Sequence, residues 1–247
     1  MSKNSQLTPF TNDLIFSQVM RNEEICRGFL EMIIPGDEFG DIKISERERM
    51  PDFEFVIDTQ RTLKFTEKAH GVRFDVFIKS EEIWAEIEMQ TYSGEHIGKR
   101  SRYYQANIDI DALDKGKPYA TLPRSYIIFI CTFDYFGLDE PVYYFTNYFP
   151  KKDLYLDDDT YKIIINTACS QEKVPDKLSS FFAYIQDPDT AHRSTLTEKI
   201  DKLVKKYNNE DRGAGEYDIS RSNGKRVASR QRCGYRTRIR TRIRERY

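Results

Sequence analysis

Asp75, Glu88 and Gln90 are the residues of this chain whose types and spacing can do chemistry together. Asp75 lies in Gly71–Lys79, where Val72, Phe74, Val76 and Ile78 alternate with Arg73, Asp75 and Phe77. Glu88 and Gln90 lie in Ile83–Gln90, where Ile83, Ala85, Ile87 and Met89 alternate with Trp84, Glu86, Glu88 and Gln90. A period of two is that of a strand with one face in a core. The short polar link Ser80-Glu81-Glu82 makes the two runs a hairpin. Each carboxylate then lies on the face opposite its strand's main apolar set, and pairing brings the two within reach of one divalent cation. Mg²⁺ or Mn²⁺ suits them, since a hard cation takes oxygen ligands from one or two carboxylates and keeps several waters. A cation held in this way polarises a phosphate and lowers the pKa of a bound water. Gln90 points to the same side and can orient that water or touch a phosphate oxygen, and Glu86 shares the face as a candidate additional ligand. Acids on the polar face of a half-exposed hairpin are usually only solvated. Against that stands the apolar company of Trp84, Ile87 and Met89, in which a carboxylate needs a partner.

Other chemistries have little to work with. The three histidines (His70, His96, His192) show no metal-ligand spacing, and His96 falls in a loop where exposure is expected. The four cysteines (Cys26, Cys131, Cys169, Cys233) form no C-x-x-C pair, which points to reduced thiols in a cytoplasm rather than to zinc or disulfides. No apolar run approaches the roughly 18 residues of a membrane span. The first ten residues are polar and lack the apolar stretch of a signal peptide. With 39% hydrophobic and 13% aromatic residues, the 247-residue chain can fill a sheet-based core.

The elements that must position the acids follow from the same patterns. Leu14, Ile15, Val19, Met20, Ile25, Phe29, Leu30 and Ile33 recur at helical spacing, which predicts a helix from Asp13 to Ile34 with Thr11 or Asn12 as cap. Short strands are expected at 41–45 and 62–66, and a helix from Ile97 to Leu113. Ser125–Phe133 is a nearly continuous apolar run, as in a strand buried on both faces. Further strands are expected at Val142–Phe149 and Lys162–Thr167, and helices at Pro175–Ile185 and Leu196–Tyr207. This order predicts an α/β fold, a mixed central sheet flanked by helices with a helical C-terminal extension.

Taken together, Gly71-Val-Arg-Phe-Asp-Val-Phe77, Ala85-Glu-Ile-Glu-Met-Gln90 and Lys99-Arg-Ser-Arg-Tyr-Tyr104 resemble the Rpn-type recombination-promoting nucleases, also described as PD-(D/E)XK nuclease family transposases. Asn12-Asp-Leu-Ile-Phe-Ser-Gln-Val-Met20 is similar to that family's first helix, and Ile127-Ile-Phe-Ile-Cys-Thr-Phe-Asp-Tyr-Phe-Gly137 to its later core strand. The likeness covers roughly residues 8–187. It implies a restriction-endonuclease-like core with Asp75, Glu88 and Gln90 at the D, E and K positions, Mg²⁺ or Mn²⁺ as cofactor and DNA as substrate. Gln in place of Lys keeps a hydrogen-bond donor and loses a charge. Stabilisation of the transition state then rests more on the metal and on nearby arginines. The wider superfamily often adds an acid from the first helix, for which Asp13 and Glu24 are both candidates. Arg100 and Tyr104, at i and i+4, share one helix face. They suit a phosphate contact and a positioning hydroxyl or stacking ring; the alternative is a surface arginine over a packed tyrosine. Lys99 and Arg102 suit diffuse phosphate contacts.

Three functions compete on this basis. One is metal-dependent hydrolysis of phosphodiester bonds in DNA, linked to recombination and mobile elements. The second is a nuclease fold that binds nucleic acid and cuts weakly or not at all. The third is an interaction protein with the sheet as scaffold, against which the presence of both Asp75 and Glu88 argues. A homodimer is compatible with any of them, and no membrane partner is expected. The expected domains are a nuclease-like unit at 1–187, a helical extension at 188–211 and a basic, disordered tail at 212–247. That tail holds twelve Lys or Arg against three acids, a charge of about +9, which leaves about −10 on the rest of a chain of net charge −1. Permitted codons for Tyr235–Tyr247, read one base forward, give Ile-Glu-Gln-Gly-Phe-Glu-Gln-Gly-Phe-Glu-Lys-Gly, a repeat that ends many Rpn-type proteins. The segment after about Glu210 is therefore expected to be out of frame.

Overall fold

The computed structural model describes residues 7–34, 55–63, 72–93 and 96–222. The stretch expected as one helix from Asp13 is two, α1 (Asp13–Met20) and α2 (Glu23–Ile33). Asn12 caps the first, its Oδ1 accepting from the N–H groups of Leu14 and Ile15 at 3.1 and 3.3 Å. Asn22 ends the run by starting another: its backbone is extended and its Oδ1 accepts from Ile25 N–H at 3.0 Å. Glu23 and Glu24 then fill the first turn of α2, where the positive end of the helix dipole favours acids.

Among the described residues six strands form the central sheet in the order β1-β2-β3-β4-β8-β5. β1 (Val56–Leu63), β2 (Val72–Lys79) and β3 (Ile83–Gln90) pair antiparallel, β4 (Arg124–Cys131) and β8 (Thr160–Asn166) continue parallel, and β5 (Val142–Phe145) closes the far edge antiparallel. The expected mixed α/β sheet is what forms. β1 begins well before the expected Thr62, because an edge strand carrying Asp58, Gln60 and Arg61 has little apolar alternation to reveal it. The strand expected at 41–45 lies outside the described residues. The run expected as one strand over Val142–Phe149 divides, its second part, β6 (Tyr148–Phe149), pairing with β7 (Leu154–Tyr155) in a separate ribbon.

The two faces of the sheet differ in chemistry. On one face Ile83, Ala85, Ile87 and Met89 of β3 join a large apolar core with Ile15, Phe16, Ile25 and Phe29 of α1 and α2. Phe181 and Phe182 of α4 (Asp176–Gln186) and Ile200 of α5 (Thr195–Ser222) complete that core. The other face is covered by α3 (Ile97–Ala112), which crosses between the parallel strands β3 and β4. Its inward residues include Ser101, Gln105 and Asn107, so α3 lays a partly polar surface over the sheet. Gln105 Nε2 donates to Ser125 Oγ of β4 at 2.6 Å, which fixes the helix there.

The chain divides into two compact units, Met1–Asn209 and Glu210–Tyr247. α5 continues to Ser222, so the opening of the tail expected to be disordered is helical. The arginine-rich residues 235–247 lie outside the described residues. Cys26, Cys131 and Cys169 are buried free thiols, and Cys233 is outside the described residues. Among the described residues no helix is long and apolar enough to cross a membrane.

Candidate active site

Where β2 and β3 stop pairing, the acids begin. Their ladder runs from Lys79↔Trp84 to Val76↔Ile87, and the next position of that register sets Asp75 against Glu88. With the ladder open there, the Met89 N–H is taken by Asp75, whose Oδ2 accepts it at 3.5 Å. The expected alternation of β2 breaks at the same place, where its ladder with β1 also skips Asp75. Phe74 lies with Phe77 and Tyr104 beneath α3 rather than with Val76 and Ile78 in the main core, its ring 5.1 Å from that of Phe77 and 5.2 Å from that of Tyr104.

α3 then brings Arg100 back over the end of β3. Its Nη2 donates to Glu88 Oε2 in an ion pair, its Nη1 to Gln90 Oε1 at 2.9 Å, and its Nε to the Tyr104 hydroxyl at 3.0 Å. The guanidinium lies 4.9 Å from the ring centroid of Phe129, which stands beside Glu88 in the β3–β4 register. Gln90 is held from its other end as well, Nε2 donating to the Tyr92 carbonyl at 2.9 Å.

Among the described residues, Arg100 is the cation that these acids face. Glu86, Glu88 and Gln90 are all buried. Burial first, then repulsion from Glu88 and Asp13, pushes the Asp75 carboxyl up to about 7. Burial also raises Glu88, although Arg100, Tyr104 and Glu86 oppose it. Glu86 rises well above the usual carboxyl range through burial and the charges of Glu88 and Asp75. Among the described residues no N–H or hydroxyl donor reaches either Glu86 oxygen. Its close neighbour is Glu88, to which it can donate only when it is itself protonated. The Tyr104 hydroxyl is held protonated by burial and by the same two glutamates.

Carboxylate oxygens in excess of the available positive charge fit a hard divalent cation. Asp75 and Glu88 are the residues that would hold it, on strands that leave their carboxylates at one opening. Among the described residues no three of His, Cys, Asp and Glu already stand as a ready-made cation site. Arg100 occupies an oxygen of Glu88 that such a site would use.

Asp75, Glu86, Glu88, Gln90, Arg100 and Tyr104 come together in one cluster. Asp13 is close enough for its charge to act on Asp75, whereas Glu24 is paired with Lys199 of α5. Lys99 and Arg102 are exposed on α3, and His96 is exposed at the start of that helix. The residue types alone did not single out Phe129, the platform under Arg100, or the Tyr92 carbonyl that holds Gln90. Phe129 sits in an apolar strand that any sheet would bury, and a backbone carbonyl leaves no mark in a sequence.

A family model described as PD-(D/E)XK nuclease family transposase matches residues 10–149. Neither the curated proteins nor the solved structures compared with the chain give a match. The matched residues span α1, the β2–β3 hairpin with Asp75, Glu88 and Gln90, the helix bearing Arg100, and β4, more than half of the 247-residue chain. The chain belongs to the PD-(D/E)XK nuclease family transposases.

Proposed function

We propose that this chain is a metal-dependent DNA endonuclease that hydrolyses phosphodiester bonds, with Asp75 and Glu88 holding Mg²⁺ or Mn²⁺. The observation that carries this reading is the cluster of buried Glu86 and Glu88 and half-buried Asp75 at the mouth of the β2–β3 hairpin, which the guanidinium of Arg100 faces. When bound, the cation would supply Lewis-acid polarisation of the scissile phosphate and a water of lowered pKa. The chain's own residues do the rest. Asp75 and Glu88 fix the position of the reaction between two strands. Gln90 offers an amide to the attacking water or a phosphate oxygen. Arg100 offers a planar, permanently charged guanidinium to the phosphate, and Tyr104 orients it through its Nε contact. Lys99 and Arg102, exposed on the same helix, suit sequence-independent contacts along the DNA backbone. Asp13 rather than Glu24 is the first-helix acid of the site, because its charge is felt at Asp75.

In this reading residues 1–187 form the nuclease unit, 188–211 a helical extension and 212–247 a basic segment. The activity serves recombination or transposition in the cytoplasm, with a homodimer as a compatible assembly. A second reading has Gln90 in its favour. Its amide is engaged at both ends, by Arg100 and by Tyr92, and it carries no charge, as suits a fold that binds DNA and cuts slowly or not at all. Nicking of supercoiled plasmid separates the two. Wild type with Mg²⁺ or Mn²⁺ should convert the plasmid to open circles, and EDTA or Asp75→Ala should stop it. DNA binding without metal-dependent nicking would favour the second reading.

A further inference from the structure

Glu86 has unusual surroundings. It lies on β3 opposite Phe77 and beside Ile127, fully buried under α3. Both of its carboxyl oxygens lack a donor among the described residues. Buried polar atoms are nearly always hydrogen-bonded, and a native exception calls for an explanation such as a ligand that belongs there. Arg100 does not relieve it through the contacts that define its pose, since Nη2 goes to Glu88, Nη1 to Gln90 and Nε to Tyr104. What lies against Glu86 is another acid, Glu88. Two neighbouring carboxylates, both buried, with the open end of the β2–β3 ladder beside them, form a set of hard oxygen donors.

We propose that Glu86 is a third carboxylate of the cation centre: it places an oxygen in the shell of the divalent ion held by Glu88 once Arg100 releases that residue. The inference rests on the nuclease reading only in taking Asp75 and Glu88 as holders of a hard cation. Its consequence is specific. Arg100 is the counter-charge of Glu88 in this structure, and with Glu88 turned to an ion its guanidinium would be free to meet the phosphate. Glu86 meanwhile supplies charge from below, which neither Gln90 nor Tyr104 can provide.

The test is calorimetric titration of the EDTA-treated full-length chain with Mn²⁺, for wild type, Glu86→Gln and Asp75→Asn. Glutamine has the shape of a protonated glutamate and can still donate to Glu88, so it reproduces Glu86 as a mere core acid. If Glu86 faces the ion, E86Q should weaken Mn²⁺ binding by about tenfold or more while melting no lower than wild type without metal. E86Q that binds Mn²⁺ like wild type overturns the proposal and leaves Asp75 and Glu88 as holders of the ion. Absence of Mn²⁺ binding in wild type removes the cation reading of the whole site, and this proposal with it. Should E86Q fail to fold, the wild-type chain crystallised with Mn²⁺ decides. A Glu86 oxygen at a ligand distance of about 2.1–2.3 Å supports the assignment, and a Glu86 carboxyl outside the shell overturns it.

Discussion

Replacing Arg100 by methionine removes the guanidinium while keeping much of the side-chain stem, and its effect can be worked out from the contacts of that one group. The Glu88 side chain is 7% exposed and that of Arg100 is 19%, so their ion pair is largely shielded from water. Breaking a buried pair by removing one partner costs about 3–5 kcal/mol, because the remaining charge is left uncompensated. Methionine retains contact with Phe129 and Tyr104, which puts the expected loss near the lower end, about 3 kcal/mol. For a chain of this size each kcal/mol moves Tm by about 2–4 °C, so R100M in EDTA at pH 8 should melt roughly 6–12 °C below wild type. The loss must also depend on pH. Arg100 is among the groups that hold the Glu88 carboxyl down, so without it Glu88 protonates at higher pH. Once protonated it no longer needs the guanidinium, and the gap between variant and wild type should shrink as pH falls from 8 to 5. Adding Glu88→Gln to R100M should recover most of the stability, a coupling that a double-mutant cycle measures. Thermal unfolding followed by circular dichroism gives all of these values. A Tm for R100M within about 1 °C of wild type at pH 8, or an equal loss at pH 5 and pH 8, would refute the reasoning.

Other consequences concern the acids themselves. Asp75 keeps its proton in the folded chain up to about pH 7, whereas its ordinary value is 3.8. The folded state therefore binds more protons than the unfolded state between these values, and stability in EDTA should fall as pH rises through that window. Asp75→Asn should flatten the decline in Tm between pH 5 and pH 7; an undiminished slope would count against the assignment. Asp13→Asn should lower the Asp75 pKa read by NMR titration, since Asp13 is one of the charges that raise it. Glu24→Gln, which removes a partner of Lys199, should leave that titration where it was.

Much of this site is legible in the sequence because both runs of the hairpin alternate with a two-residue period, which β3 keeps throughout, and because the acids fall on the positions that period turns away from the apolar core. The mixed sheet is legible for a related reason: β4 is a continuous apolar run, as a strand covered on both sides must be. Other features depend on what strands and helices do to one another. Alternation assigns Phe74 to the main core, but β2 leaves its partner at Asp75 and Phe74 packs on Phe77 and Tyr104. The period that makes Glu86 polar-facing says nothing of its burial, which comes from α3. That helix is itself hard to read as a cover, because it turns Ser101, Gln105 and Asn107 inward. The division between α1 and α2 was available in Asn22-Glu23-Glu24, a cap followed by first-turn acids, but the apolar spacing of Val19, Met20 and Ile25 conceals it. The grip of Arg100 on both Glu88 and Gln90 joins residues twelve and ten positions apart through a long side chain, and no local pattern encodes it.

Whether Asp75 and Glu88 form a DNA-cleaving site is decided by Glu88→Gln when cleavage and binding are measured on the same preparation. With supercoiled plasmid and Mg²⁺, wild type should nick and E88Q should not. E88Q should nevertheless bind a DNA duplex within a few-fold of wild type, because affinity comes mainly from basic groups on phosphates. An E88Q chain that nicks plasmid as fast as wild type would contradict the assignment of this site.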